Sequence, residues 1–181
     1  WVSYELISDD ITVTYPIGGE GLVPGETEII RWDTYGTSGD LEKYFLGSRH
    51  WSLNPPVPGY NPRFGILLDM VGAERAVFPK ETYSISYAPN LVNEVWGIAE
   101  SKGYSDIFLD QRGAGVLDDH FIVYENTNIP VIDIINHTVG LDGNIEFAPH
   151  WHTHNDDLPI IDKSTLQAVG DVLLELIYNR I

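Results

Sequence analysis

Arg63-Phe64-Gly65-Ile66-Leu67-Leu68-Asp69-Met70-Val71-Gly72 is the stretch on which the fold turns. Its apolar run, residues 64–70, is bounded by Pro62 and Gly72 and predicts a buried strand ending at Asp69. Two further short apolar runs, residues 107–109 and 131–135, have the same texture. Between the first and second, Leu91, Val95, Ile98 and Ala99 recur at helical spacing, with Gly103 as the stop. Leu166, Val169, Leu173, Leu176 and Ile177 form an apolar stripe that predicts a last helix, and residues 118–126 predict a short helix leading into the third strand. Short apolar runs separated by helical patterns predict an α/β domain: a mostly parallel sheet flanked by helices.

Upstream the texture differs. In residues 1–38, Ile11, Val13 and Tyr15 share one face, residues 16–21 break the pattern, and residues 28–33 resume it. A short all-β segment over 1–38 therefore precedes an α/β part over 39–181, with the change near residues 36–40. The chain of 181 residues holds 43% hydrophobic and 12% aromatic residues, enough for a packed core. Its net charge of −17 repels phosphate backbones and anionic membranes, so nucleic acid is excluded as a partner class. There is no cysteine, which leaves His and carboxylates to hold any metal. No apolar run is long enough to span a membrane, and the first residues lack a signal peptide's basic start, so a soluble chain with any targeting peptide removed is expected.

Candidate chemistry gathers in three places, each at a strand end or in a loop beyond one, the edge where open α/β sheets bind ligands. Asp69 closes the first strand; a helix cap or an ion-paired core acid would explain it equally well. Leu117-Asp118-Asp119-His120 sets two acids side by side, a repulsion that a cation, a proton or a helix N-terminus relieves. Phe147-Ala148-Pro149-His150-Trp151-His152-Thr153-His154-Asn155-Asp156-Asp157 puts three His at alternate positions. On an extended segment these would share one face, and neutral imidazole is a common zinc ligand.

Gly47-Ser48-Arg49-His50, then residues 67–73, Asp118-Asp119-His120, residues 129–135 and Trp151-His152-Thr153 with Asp156-Asp157 following resemble consecutive motifs of the glutaminyl cyclases, within the M28 zinc metallopeptidase superfamily. The resemblance covers about three quarters of the chain and implies a zinc-exopeptidase-like fold, incomplete here. It also implies zinc as cofactor, with His152 as a ligand and Asp69 as an active-site acid that ligates a second metal in two-zinc relatives. By the same resemblance Asp118 partners the catalytic carboxylate, Asp133 belongs to that acid network, and Phe147 and Trp151 wall the substrate pocket. The implied substrate is a peptide with N-terminal Gln or another free N-terminus. The implied reaction is attack of its α-amine on the γ-carboxamide, giving pyroglutamate and ammonia. A secreted or periplasmic bacterial location is implied too; the oligomeric state is not.

The family also carries a bridging Asp and a Glu or Glu pair ahead of the Gly47-Ser48-Arg49-His50 segment. Residues 1–38 hold Asp9, Asp10, Glu20, Glu26, Glu28 and Asp33, none in that context. Instead, residues 11–16 with Gly18-Gly19-Glu20 and Ile30-Arg31-Trp32-Asp33 resemble the start of an immunoglobulin-like module, which needs about a hundred residues. Two incomplete units joined near Thr37 are expected. A zinc aminopeptidase and a noncatalytic secreted binding protein stand as the alternatives to a cyclase.

Overall fold

The computed structural model describes residues 11–15, 31–34 and 44–180 except 56 and 58, and the chain divides into two compact units, Trp1–Leu46 and Gly47–Ile181. In the first, strands β1 (Ile11–Tyr15) and β2 (Arg31–Thr34) pair antiparallel, Ile11 opposite Thr34, with a bulge between Val13 and Tyr15. Otherwise the expected likeness of residues 1–38 to an immunoglobulin-like module lies outside the described residues. Helix α1 spans Leu46–Leu53.

The second unit is the α/β body. Strand β3 (Gly65–Asp69) pairs in parallel with β6 (Val131–Ile135), Gly65 opposite Val131 and Asp69 opposite Ile135. Strand β4 (Phe78–Lys80) pairs in parallel with β5 (Phe108–Arg112). The pairs meet where His137 N donates to Val77 O (3.3 Å) and Val77 N donates to Asn136 Oδ1 (3.0 Å). Helices α2 (Thr82–Tyr87), α3 (Pro89–Ser101), α4 (Asp119–Thr127) and α5 (Lys163–Glu175) flank the strands, and the short strands β7 (Thr138–Val139) and β8 (Ile145–Glu146) form an outlying hairpin.

Strand β6 is buried along its whole length because it is covered on both faces. Side chains alternate across a strand, so Ile132 and Ile134 join the core of α3 and α5, built on Val92, Val95, Trp96, Val169 and Val172. Val131, Asp133 and Ile135 turn to the opposite face, where Asp133 N donates to Ser84 Oγ of α2 (2.9 Å). Trp96 fixes the other strand pair: its indole Nε1 donates to Phe78 O (3.0 Å), and its ring meets Phe108 edge-on at 5.6 Å. A buried indole N–H needs a partner, and this bond supplies it.

The helix expectations are met closely. Gly103 follows α3 in the left-handed region (φ 84), which a residue without Cβ adopts at no cost. Asp118 caps α4 rather than opening its first turn. Two strand expectations change. The run at residues 107–109 becomes β5, which starts one residue later and runs on to Arg112. The β3 run is half-buried rather than buried, with Leu68 42% exposed, because among the described residues β3 has a strand neighbour on one side alone. Neither β4 nor α2 was anticipated: Phe78-Pro79-Lys80 has no period to read, and α2 is too short for one.

Candidate active site

Asp69 ends β3, and the next residue, Met70, is held at φ 52. A non-glycine residue seldom adopts that left-handed backbone, and strain of this kind is found at functional sites. The Asp69 carboxyl is raised above its ordinary pKa, first by burial and then by the negative charges of Asp119 and Asp156, while His152 opposes them. The strand end, the start of α4 and the loop near residue 152 thus share one electrostatic neighbourhood.

Asp118 is the N-cap residue of α4, and its carboxylate accepts from the N–H of the next residue, Asp119 (2.6 Å), rather than from the second or third helical residue as a usual cap does. Its carboxyl too is raised, by burial and then by Asp69 and Asp119. Asp133 lies fully buried in the middle of β6, and neither of its carboxyl oxygens has a hydrogen-bond partner. Burial, followed by the charges of Asp118, Asp69, Glu81 and Asp119, pushes it up to about 9. A buried charge without donors costs several kcal/mol, so the group keeps its proton at neutral pH instead.

Glu81, which carries no signal in the sequence, and His120, quoted there only as the neighbour of the acid doublet, complete this network. Glu81 is fully buried and accepts from Tyr83 N (2.9 Å), Ser84 N (2.6 Å), Ser84 Oγ (2.7 Å) and Val116 N (2.9 Å). Burial pushes its pKa up, but hydrogen bonding to His120, Ser84 and Tyr83 outweighs that and holds it at about 2. His120, 1% exposed, sets Nε2 at 3.3 Å from Glu81 Oε2 and Nδ1 at 3.7 Å from Asp133 Oδ2. No periodicity marks Glu81, and Glu is not a favoured N-cap residue, so its role at the start of α2 had no sequence signal. His120 did carry one, its place beside the acid doublet.

The loop after β8 supplies the remaining candidates. The rings of Phe147 and Trp151 lie 4.6 Å apart, and the His152 ring stacks on Trp151 at 3.8 Å. The extended segment expected for the three His is overturned. Trp151 N donates to Ala148 O (2.9 Å), Thr153 N to His150 O (3.0 Å) and Asp156 N to Thr153 O (3.2 Å), while His152 itself takes φ 57. Consecutive turns destroy the two-residue alternation, and the His152 imidazole lowers the Asp69 pKa against the acids around it. The loop returns to the sheet end through a bridge between Ile161 and Ala73, Glu74 N donating to Ile160 O (3.0 Å) and Asp162 N to Gly72 O (2.8 Å).

A separate cavity of about 260 Å³ lies beside β3, lined by Trp51, Tyr60, Phe64, Leu67 and Asp119 among others, and reaches none of Asp69, Phe147, Trp151 or His152. Among the described residues no group of three His, Asp or Glu converges as a metal site. Catalytic zinc takes three protein ligands, so Asp69 and His152 do not make a complete zinc site with the described residues alone. What these residues can do by themselves is hold and pass protons and pack an apolar or amide side chain.

The sequence profile of peptidase family M28 matches residues 39–177. No curated protein matches the chain. Among solved structures it is similar to the glutaminyl cyclase of Porphyromonas gingivalis, at 45% identity and a TM-score of 0.75 over 82% of this chain and 53% of that one. It is also similar to a Zn-dependent exopeptidase from Parabacteroides distasonis, at 45% identity and a TM-score of 0.70 over 75% of this chain and 46% of that one. A leucine aminopeptidase precursor from Bacteroides thetaiotaomicron is similar at 47% identity and a TM-score of 0.73, over 81% and 48%. The chain spans about half the length of these relatives.

Proposed function

The chain belongs to peptidase family M28, and we propose that it carries the acid and aromatic part of a glutaminyl-cyclase-type site, acting on the N-terminal Gln of a peptide. The observation that carries this reading is that the loop bearing the Phe147–Trp151 ring pair returns to the chain just after β3, at the Ala73–Ile161 bridge, and so to the strand end that carries Asp69, with Asp118 capping α4 and Asp133 in the paired strand β6.

The chemistry asks for such a group. Cyclisation forms a bond between the α-amine nitrogen and the γ-carboxamide carbon, and ammonia leaves. The amine must lose a proton and the departing nitrogen must gain one, so a single carboxyl can serve as base and then as acid when its pKa is raised toward neutrality. Asp69 and Asp118 are raised first by burial and then by neighbouring acids, Asp119 and Asp156 for the one and Asp69 and Asp119 for the other, and both stand nearer the surface than the sealed Asp133. The Phe147 and Trp151 rings would pack the methylene groups and amide of the Gln side chain and keep competing water from the carbonyl. Zinc belongs to the complete site in this reading, with His152 among its ligands, and Asp69 would ligate a second metal only in a two-zinc site. A secreted or periplasmic location goes with it; among the described residues no helix is long and apolar enough to cross a membrane.

A zinc aminopeptidase is the second reading, favoured by the leucine aminopeptidase precursor, which is as similar to this chain as the cyclase is. Binding separates the two. Titrating the protein with a Gln-initiated and a Leu-initiated peptide should show preference for Gln, and Trp151→Ala should weaken that binding by up to about tenfold, the scale of one lost aromatic contact. Preference for Leu, with free Leu released, would replace the cyclase reading by the peptidase one.

A further inference from the structure

The cavity beside β3 is used by none of the chemistry above. Alternation along β3 turns Ile66 into the main core and sends Gly65 and Leu67 to the opposite face, beneath α4. Gly65 stands opposite Val131, and a Cβ there would come within 3.2 Å of both Val131 methyl carbons, so the position stays bare. A glycine inside a strand marks a place where another group comes close. Here the missing side chain helps to leave about 260 Å³ between the strand and Val123 of α4. The rings of Trp51 and Tyr60 meet edge to face at 5.8 Å on the cavity wall, and both are partly exposed, so this wall opens to solvent. Two lining residues carry ionisable side chains. His120 is sealed and faces Glu81 and Asp133. Asp119 is half-buried, and among the described residues its carboxylate has neither a hydrogen bond nor an ion pair.

We propose that this cavity is a second binding site, for a compact arylalkyl amine whose ring lies between Leu67, Val123 and the Trp51–Tyr60 pair and whose ammonium pairs with Asp119. The volume falls just short of the ~300–1,000 Å³ of pockets that bury drug-sized ligands, which limits the occupant to one ring on a short arm. Aromatic walls favour a ring, stacked or edge to face, over a flexible chain. Charge decides the rest. An anion would meet Asp119 and the field of a chain whose net charge is −17, and a neutral ligand would cover the carboxylate without pairing it. The cavity reaches none of Asp69, Phe147, Trp151 and His152, so this site is separate from the one proposed above and rests on neither the cyclase nor the peptidase reading. The two adjoin at the start of α4, where Asp119 N donates to the Asp118 carboxylate (2.6 Å).

The test uses the whole chain and 2-phenylethylamine, with 2-phenylethanol as an uncharged ligand of the same shape. Titrations followed by NMR at neutral pH should show the amine binding at least about threefold more tightly than the alcohol, the worth of one partly exposed ion pair. Contacts from the ligand's ring protons to the methyl groups of Leu67 and Val123 should locate it. Asp119→Asn should remove the preference for the amine, and Val123→Trp, which fills the space from α4, should abolish binding of both ligands. Should Val123→Trp fail to fold, the ring-to-methyl contacts in the unaltered protein decide the same point. Equal affinity for the two ligands, or a preference that survives Asp119→Asn, overturns the proposal. So do contacts to the Phe147 and Trp151 rings in place of Leu67 and Val123, which would mean that the amine imitates a peptide N-terminus at the other site. Self-association that buries Trp51 and Leu68 and shuts out the amine would give this face to a second copy of the chain instead. Failure to bind a Gln-initiated peptide would sink the cyclase reading and leave this site standing.

Discussion

Asp69, Asp118 and Asp133 are carried by regular elements: a strand end, a helix cap and the centre of a strand covered on both faces. Phe147, Trp151 and His152 are carried by a chain of turns whose side chains lie half-buried or exposed. Hydrophobic packing of the α/β body fixes the first group and would fix it without any ligand. Little apolar burial fixes the second, which depends on its return to the sheet end at Ala73–Ile161 and on the stacking of its own rings. The acids are thus a rigid, charged floor, and the aromatic loop is a cover that ligand contacts must help to order.

The largest expected effect concerns catalysis across the two regions. Among the described residues, Asp69 from the floor and His152 from the loop are at most two donors where catalytic zinc takes three. The 181-residue polypeptide is therefore expected to release no detectable ammonia from a Gln-initiated peptide, even with added zinc. Whatever zinc it retains in equilibrium dialysis should be lost in His152→Ala and kept in His154→Ala, because His152 carries the motif match, with Trp151 before it and Thr153 after it. Zinc-dependent turnover that disappears in both Asp69→Ala and His152→Ala would show instead that acids of residues 1–43 complete the site.

Stability separates the regions next. Trp96 is 3% exposed, bonded to Phe78 and packed on Phe108, so Trp96→Ala should cost about 3–5 kcal/mol in denaturant unfolding. Trp151 is 39% exposed, and Trp151→Ala should change the same measurement by less than about 0.5 kcal/mol. Comparable losses would mean that the loop is part of the folding core.

A third effect belongs to the floor alone. Asp133 is raised from 3.8 to about 9 in the folded state, so the native protein holds a proton that the unfolded chain has released across that window. Its contribution to stability is fully present below about pH 4 and declines as pH rises toward 9. Glu81 works with the opposite sign: lowered from 4.5 to about 2, it stabilises above about pH 4.5 and loses that contribution as pH falls toward 2. Denaturation midpoints measured from about pH 5 to about pH 9 should fall with rising pH, and Asp133→Asn, which keeps the shape and cannot ionise, should flatten the slope. An unchanged slope in that variant would mean that Asp133 is already ionised in the folded protein.

The floor was more legible in the sequence than the cover, for a physical reason. Strand β6 and helices α3 and α5 announce themselves because burial imposes a period, and that period placed Asp69 at a strand end and Asp133 within a strand. Turn geometry imposes none, so the alternation of His150, His152 and His154 suggested an extended segment that the consecutive turns and the left-handed His152 exclude. Motif resemblance, not period, singled out His152. Glu81 escaped both signals: it sits after three residues of strand too short to show a period, and its four partners lie at the start of α2 and in the loop before α4. A buried acceptor of that kind becomes visible when donors from different parts of the chain are brought together.

The smallest expected effect tests the hinge between the regions. Asp162 follows the loop directly, donates its N–H to Gly72 O at the sheet end and caps α5, its carboxylate accepting from Thr165 N and Thr165 Oγ1, both at 2.9 Å. Bonding to the Ser164 side chain, then to Thr165, holds its pKa down at about 2, so the cap is intact above about pH 4 and is lost as pH falls toward 2. Asp162→Ala removes the side-chain cap and leaves the backbone bond to Gly72, since every residue but proline supplies that N–H. The variant should lower Tm by a few degrees at neutral pH, lose that difference near pH 2, and keep the stacking of His152 on Trp151, read as Trp151-to-His152 ring contacts by NMR. If the ring contacts vanish while Tm barely moves, the cap and not the Ala73–Ile161 bridge holds the cover over the acids, and the loop's independence from the α/β body is greater than its two backbone bonds to residues 72–74 imply.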